Sequence, residues 1–121
     1  MTAPDRHRVI WNEARRLGSP SRALVLLAVE DLAQFGRPLG LDPDVSEEHP
    51  LEPSEVAAYT GLSLVGAENA LRDLADAGLV RRVWVLGFDE KHPERAPRAR
   101  VRYRHADELP SGAPAPKGEG S

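Results

Sequence analysis

The sequence predicts an α+β domain that is mostly helical and carries one two-stranded β-hairpin. Apolar residues recur at helical spacing over residues 5–17 and 21–35, which predicts two N-terminal helices. Residues 51–80 contain two further helical patterns separated by a short glycine turn. Basic and apolar residues then alternate over residues 98–104, and alternation with a period of two is typical of a β-strand. The helices therefore come first along the chain and the hairpin follows them.

The first two predicted helices are separated by a clear break. Gly18 and Pro20 interrupt the helical pattern, and either Ser19 or Ser21 is suited to cap the second helix. Residues 21–35 form the most hydrophobic helix of the chain. Its apolar arc is wide, so we expect it to be buried on more than one side.

The segment from residue 51 to residue 80 has the signals of a helix, a tight turn and a second helix. Pro53 suits the first helical turn, where its missing N–H costs nothing. Gly61 can adopt the left-handed conformation that ends a helix, and Ser63 is a natural N-cap for the next one. Gly78 supplies the second stop. Between these signals, apolar residues at helical spacing predict an inward stripe: Ala67, Ala70, Leu71 and Leu74.

The net charge of −3 conceals a segregation of charge along the chain. Residues 45–80 carry one arginine against seven acidic residues, a balance of −6. Residues 81–104 carry eight lysine or arginine residues against three acidic ones, a balance of +5. Local charge matters more than the total for an electrostatic footprint, so the hairpin is the predicted contact surface for a nucleic acid.

Arginine occupies every second position of the second hairpin strand, at Arg98, Arg100, Arg102 and Arg104. Side chains two residues apart on a strand share one face and lie about 7 Å apart, which suits contacts to successive phosphates. Three further basic residues of the hairpin are predicted to contact the nucleic acid as well: Arg82, Lys91 and Arg95. The alternative is that the arginines form a solvated outer face.

Trp84 lies on the partner strand of the hairpin and has two interpretations. It is predicted to be a core residue that packs against the second helix of the helix-turn-helix pair. Alternatively it stacks on a base or an arginine, and together with Tyr103 it would bind single-stranded nucleic acid.

Residues 20–105 resemble the bacterial and phage winged helix-turn-helix domains, which include MarR-type regulators and domains of phage and plasmid replication proteins. The resemblance rests on SPSRALVLLAVEDLA, on PSEVAAYTGLS, and on ALRDLADAGLVRR with the hairpin that follows. It implies a winged helix-turn-helix fold with N-terminal helices and a two-stranded β wing. It also implies double-stranded DNA as the partner, with a recognition helix, residues 64–77, that enters the major groove.

In that family the exposed residues early in the recognition helix contact bases. Position by position, these are Ser63, Leu64, Val65, Gly66, Glu68, Asn69 and Arg72. Asn69 can pair with adenine, and Arg72 can reach guanine or a phosphate. The chain departs from the usual pattern at apolar Leu64 and Val65 and at acidic Glu68, where polar or basic residues are common.

The resulting prediction is sequence-specific binding of double-stranded DNA, by a transcriptional regulator or an accessory factor of a mobile element. The alternative is a winged helix that binds protein and not DNA. The acidic helix pair, the negative total charge and the apolar pair Leu64 and Val65 favour that alternative.

The N-terminal segment, residues 1–19, is a candidate homodimer contact, because related proteins often pair through helices outside the core. Ile10, Trp11 and Leu17 are the residues expected at that contact. The other interpretation is that this helix covers the exposed side of residues 21–35.

Other functions have little support in the sequence. It has no cysteine and no phosphate-binding loop, dinucleotide fingerprint or nucleophile elbow, so neither an enzyme nor a cofactor is predicted. Residues 42–48 alternate like the start of a calcium loop but lack its glycine, and the four histidines lack ligand spacing. The longest apolar run, residues 23–29, is too short to span a bilayer and the N-terminus lacks a signal core, so no membrane contact and a cytoplasmic protein are predicted. Residues 106–121 have too little apolar content to fold and are predicted to be a disordered tail.

Overall fold

The computed structural model describes residues 3–37 and 44–110, and this part of the chain is mostly helical with one small sheet. In chain order the elements are α1 (Ala3–Arg16), α2 (Pro20–Phe35), α3 (Pro53–Thr60), α4 (Leu64–Asp76), β1 (Val80–Gly87) and β2 (Arg98–His105). The predicted α+β class, with helices first and a two-stranded antiparallel hairpin last, is confirmed. The element order is also compatible with a winged helix.

Helix α2 lies at the centre of the molecule and packs against α1, α3, α4 and β2. Val25, Leu26 and Val29 are fully buried, so the apolar arc is covered on more than one side, as predicted. An ion pair between Arg22 of α2 and Asp73 of α4, 2.9 Å between Nη2 and Oδ2, joins the two helices at their surface. The helix begins at Pro20, with Ser19 as its N-cap.

Helix α1 packs along α2 and belongs to the same core. Ile10 and Ala14 are buried, and Leu17 packs against the core from its edge. Ile10 is covered within the chain, because α1 turns its apolar stripe towards α2, while the homodimer contact of this segment stays a prediction. Trp11, one position further round the helix, remains 45% exposed.

The hairpin strands pair from Val80 opposite His105 to Gly87 opposite Arg98. A third segment joins this sheet at Leu51, which the sequence did not reveal. The Leu51 amide donates to the carbonyl of Tyr103 at 2.6 Å, and the Tyr103 amide donates back at 3.0 Å. This isolated bridge holds the chain that precedes α3 against β2.

The packed domain continues beyond the predicted boundary at residue 105. Ala106 is buried and Leu109 packs against the core, so the first part of the expected tail is folded onto the domain. The tail prediction is therefore wrong for residues 106–110. Residues 111–121, the remainder of the predicted disordered tail, lie outside the described residues.

Candidate nucleic-acid interface

The turn between α3 and α4 is fixed by hydrogen bonds and one apolar contact. Gly61 adopts a left-handed conformation with φ of 80°, and its amide donates to the carbonyl of Ala57 at 2.9 Å. The Thr60 hydroxyl lies 2.8 Å from the Val56 carbonyl and accepts from the Leu62 amide at 3.3 Å. The Leu62 side chain packs against the core, and this contact sets the angle between the two helices.

Gly66 lies in the first turn of α4, where glycine is unfavourable for a helix. Ser63 caps the helix, and its hydroxyl accepts from the Gly66 amide at 3.0 Å. A Cβ on residue 66 would lie 3.1 Å from that hydroxyl oxygen, tighter than ordinary contact. Gly66 costs up to ~1 kcal/mol of helix propensity relative to alanine, yet it allows the cap to approach closely. The predicted inward stripe is confirmed, since four residues of α4 are buried: Ala67, Ala70, Leu71 and Leu74.

The outward face of α4 carries the residues predicted to contact bases, and all of them are exposed: Ser63, Leu64, Val65, Glu68, Asn69 and Arg72. Arg72 donates to the side-chain oxygen of Asn69 at 2.9 Å, so the two groups form one polar surface. Leu64 and Val65 are 50% and 65% exposed and form an apolar edge at the start of the helix. This face presents hydrogen-bonding groups and methyl groups together, which are the chemistries that base edges in a major groove require.

The arginine stripe is divided into two environments. At the hairpin base, defined as the cluster of Arg81, Arg102 and Arg104 with Glu47, Glu52 and Asp107, each guanidinium has a carboxylate partner. Arg104 pairs with Glu47 at 3.0 Å and Arg102 with Glu52 at 2.9 Å, and their side chains are only 11% and 18% exposed. These two predicted phosphate contacts are therefore engaged within the molecule.

Three further carboxylate contacts complete the hairpin base. Asp107 lies 2.5 Å from the Arg104 guanidinium, and Arg81 pairs with Glu47 at 3.1 Å and with Asp107 at 3.4 Å. The acids come from the segment before α3 and from the segment after β2. The predicted acidic segment and the predicted basic segment are thus in contact with each other.

Arg82 connects the hairpin to α4. Its guanidinium donates to the Asp76 carboxylate at 2.7 Å and lies 3.4 Å from the carbonyl of Arg72. The hydrogen bond with Asp76 is the largest contribution that raises the pKa of Arg82 above its ordinary value. Arg82 therefore positions β1 against α4, although the sequence suggested a phosphate contact.

The hairpin tip, residues 84–100, keeps cations that have no acidic partner. Within the described part of the chain, no ion pair involves Lys91, Arg98 or Arg100. Arg95 pairs with Asp89 at 3.5 Å. These cations are exposed, which leaves their charge available to an external anion.

The aromatic residues of the hairpin differ from their predicted positions. Trp84 is 66% exposed, so the prediction that it packs on α4 as core is wrong. The hairpin extends beyond the helical core, and Trp84 sits where no helix covers the sheet. Leu86 and Phe88 are exposed to a similar degree, so the hairpin tip carries an apolar surface. Trp84 and Leu86 occupy alternate positions of β1 and so share one face, a pattern in the sequence that could have indicated this surface. Tyr103 is buried, which removes it from the predicted stacking surface for single strands.

The described residues contain neither a metal-binding cluster nor a membrane-spanning helix. No group of three or more histidine, cysteine, aspartate or glutamate side chains there is arranged to hold a metal ion. In the same part of the chain, every helix is too short or too polar to cross a bilayer. Asp42, the first residue of the calcium-like pattern, lies outside the described residues.

No family model, no curated protein and no solved structure matches the chain. The functional argument therefore rests on the surfaces described above.

Proposed function

We propose that this protein is a winged helix-turn-helix that binds double-stranded DNA sequence-specifically, as a transcriptional regulator or an accessory factor of a mobile element. One observation carries the proposal. The exposed face of α4, with Asn69 and Arg72 hydrogen-bonded to each other, adjoins a hairpin whose tip holds Lys91, Arg98 and Arg100, for which the described residues provide no acidic partner. Arg82 keeps the helix and the hairpin in fixed relation, because it donates to Asp76 at the end of α4.

In this proposal α4 enters the major groove with its N-terminal half. The Asn69 amide pairs with adenine, and Arg72 reaches guanine or a phosphate. Leu64 and Val65 contact thymine methyl groups. Glu68 accepts from cytosine and selects against sites that would place it near a phosphate.

The hairpin tip holds the flanking backbone or reaches the minor groove. Lys91, Arg98 and Arg100 supply three phosphate contacts, and Arg72 supplies a fourth. Each neutralised phosphate contributes about −0.9 to the slope of log affinity against log salt, so the slope should be about −3 to −4. The hairpin base adds nothing to it, because its arginines already have carboxylate partners.

The test is selection from a random pool of double-stranded DNA at two salt concentrations, followed by sequencing of the retained fraction. We expect an enriched motif whose retention falls with salt. The double substitution Asn69→Ala with Arg72→Ala should abolish the motif. Absence of retention at low salt would remove DNA as the partner.

The chain contains a matched control for this variant. Asn12 and Arg15 on α1 are spaced like Asn69 and Arg72, and Arg15 likewise donates to the asparagine oxygen, at 2.5 Å. Asn12→Ala with Arg15→Ala removes the same groups from a different exposed helix face. We expect this control to keep the selected motif.

A second candidate function is binding to a protein through the hairpin tip. It is favoured by the exposure of Trp84, Leu86 and Phe88, three large apolar side chains close together along the chain. Retention on heparin at moderate salt separates the two functions. If heparin retains the unmodified protein but not the double variant Arg98→Gln with Arg100→Gln, DNA binding is supported. If the unmodified protein passes through the heparin column without being retained, a protein partner is supported.

A further inference from the structure

A cavity separate from the candidate DNA surface opens between α1, α2 and α3. Its volume is about 670 Å³, within the range of small-molecule sites in proteins. The walls are largely apolar and include Ile10, Leu24, Leu27 and Ala28. It opens to solvent where Phe35, at the end of α2, is largely exposed. The cavity is large enough to enclose most of a compact organic molecule.

One charged pair at the cavity is fully engaged within the protein. Arg6 forms a two-pronged ion pair with Glu30, at 2.8 Å and 2.9 Å. The same guanidinium donates to the carbonyls of Ala106 at 2.6 Å and Asp107 at 3.3 Å. The hydrogen bond to Glu30 is the largest contribution that raises the pKa of Arg6. The charges of Arg6 and Glu30 therefore neutralise each other, and few of their hydrogen-bonding groups remain for a ligand.

Asp31 is the uncompensated charge at the cavity. Its carboxylate accepts a hydrogen bond from the Tyr59 hydroxyl, which is neutral. Within the described residues, no arginine, lysine or histidine forms an ion pair with Asp31. Besides its two histidines, His7 and His105, the lining carries one arginine against two carboxylates. A cation is the ligand charge that complements it.

His105 supplies no compensating charge near neutral pH. Burial, followed by the neighbouring Arg104 guanidinium, lowers the pKa of His105. Its Nδ1 is buried without a hydrogen-bond partner among the described residues. His105 therefore contributes a neutral imidazole to the cavity wall.

Three aromatic rings line the same cavity as the Asp31 carboxylate. Trp11 of α1, Phe35 of α2 and Tyr59 of α3 all line the cavity, and all three are substantially exposed. Asp31 and Phe35 are one helical turn apart on α2 and so lie on one face of that helix. Aromatic faces attract organic cations, and a carboxylate adds direct charge pairing. We propose that this cavity binds a small organic cation with an apolar body, of the arylalkylamine class, with Asp31 as its counter-ion.

The experiment uses the full chain with Trp84→Phe, which leaves Trp11 as the only tryptophan and hence as a fluorescent reporter in the cavity wall. The probe is phenethylamine, and phenethyl alcohol is the neutral control of similar shape. We expect the amine to change Trp11 fluorescence saturably and to bind about tenfold more tightly than the alcohol, because only the amine forms a charge-assisted hydrogen bond.

Asp31→Asn tests the counter-ion while it keeps an oxygen that can accept from Tyr59. It should weaken amine binding about tenfold and leave alcohol binding unchanged. Asp89→Asn removes the same charge from the hairpin and should leave both affinities unchanged. Equal affinity for amine and alcohol, or equal loss in the two aspartate variants, would overturn the proposal.

Titration of Tyr59 supplies a readout that a merely structural role of Asp31 would not move. The hydrogen bond to Asp31 raises the pKa of Tyr59 above its ordinary value. A bound cation competes for Asp31 and favours the tyrosinate. This titration uses phenethyltrimethylammonium, which stays charged at high pH, and a saturating concentration of it should lower that pKa, as followed by tyrosinate absorbance. An unchanged titration would contradict the proposal.

A second copy of the chain is the competing occupant of this opening. In that case Trp11 fluorescence would change with protein concentration in the absence of amine, and light scattering would show a doubled mass. That outcome would overturn the ligand proposal and assign the exposed Trp11 and Phe35 to a dimer. Neither result bears on DNA binding, since the selection experiment uses a different surface.

Discussion

The two ends of the β-hairpin have the same sequence pattern and different surroundings. At the hairpin base, Arg102 and Arg104 are mostly buried and paired with Glu52 and Glu47. At the hairpin tip, Arg98 and Arg100 are exposed and have no acidic partner in the described part of the chain. All four occupy alternate positions of one strand and point to the same face.

The comparison shows that periodicity along a strand identifies a face, whereas the neighbours of that face decide what its side chains do. The bridge at Leu51 brings acidic residues against the hairpin base. Val83, opposite Arg102 in the register, is buried there, so the arginine stems also cover apolar surface. The tip extends past these contacts and keeps its charge for a partner.

The largest expected difference between base and tip is in stability. Leu51→Ala removes a fully buried side chain and should lower the free energy of unfolding by ~2–4 kcal/mol. Leu86→Ala makes the same change at the exposed tip and should alter it by less than about 0.5 kcal/mol. Urea denaturation measures both. Similar losses would show that the tip is packed in solution.

Arginine substitutions at the two ends should separate DNA binding from folding. Arg98→Gln with Arg100→Gln should flatten the salt dependence of DNA binding by about 2 in slope and leave stability unchanged. Arg102→Gln with Arg104→Gln should cost about 1–2 kcal/mol of stability, because charge-assisted hydrogen bonds are lost, and should keep the slope. Filter binding over a salt series and urea denaturation give the two readings. A flattened slope in the base variant would place those arginines on DNA.

Removing the acids of the hairpin base should enlarge the basic surface. Glu47→Gln with Glu52→Gln releases arginines to external phosphates, so affinity for non-specific DNA should rise about threefold to tenfold at low salt. The control, Glu48→Gln with Glu108→Gln, makes the same change in total charge at exposed acids outside the cluster. Gel shift with unrelated duplexes measures the effect. An equal gain in the control would attribute it to total charge alone.

The smallest expected effect is a pH dependence from His105, the last residue of β2. Its pKa is lowered in the folded protein, so the unfolded chain binds more protons below pH 6.5, the ordinary value. Stability should therefore fall as the pH drops below about 6.5, and it should not change through this group above that pH. His105→Gln should remove this part of the slope in denaturation series, whereas His49→Gln at an exposed site should keep it. A slope that survives in His105→Gln would assign it to other groups.

Much of the fold could be predicted because its signals are local. Ser19 caps α2, Ser63 caps α4, and Gly61 forms the turn between α3 and α4. The apolar stripe of α4 is buried. Each of these features depends on residues only a few positions away. The exposed positions of α4 followed from the same helical period. The DNA-binding roles of those positions stay predictions.

The misassignments involve contacts between distant parts of the chain. Trp84 was expected to pack on α4 because large aromatic side chains usually bury much apolar surface, but it lies on a part of the hairpin that the helices leave exposed. Tyr103 is buried because Leu51 bridges to it from 52 residues earlier, a pairing that no local pattern reveals.

The sequence by itself determined the order and type of the elements, the turn between α3 and α4, and the arginine-bearing face of β2. Helical and strand periods, caps and glycine turns act within one element, so the sequence contains them directly. The tertiary structure decided which arginines are neutralised, which aromatic residues remain exposed, and that a cavity with an unpaired carboxylate lies beside α1. These properties depend on how segments up to 101 residues apart meet, as Arg6 and Asp107 do.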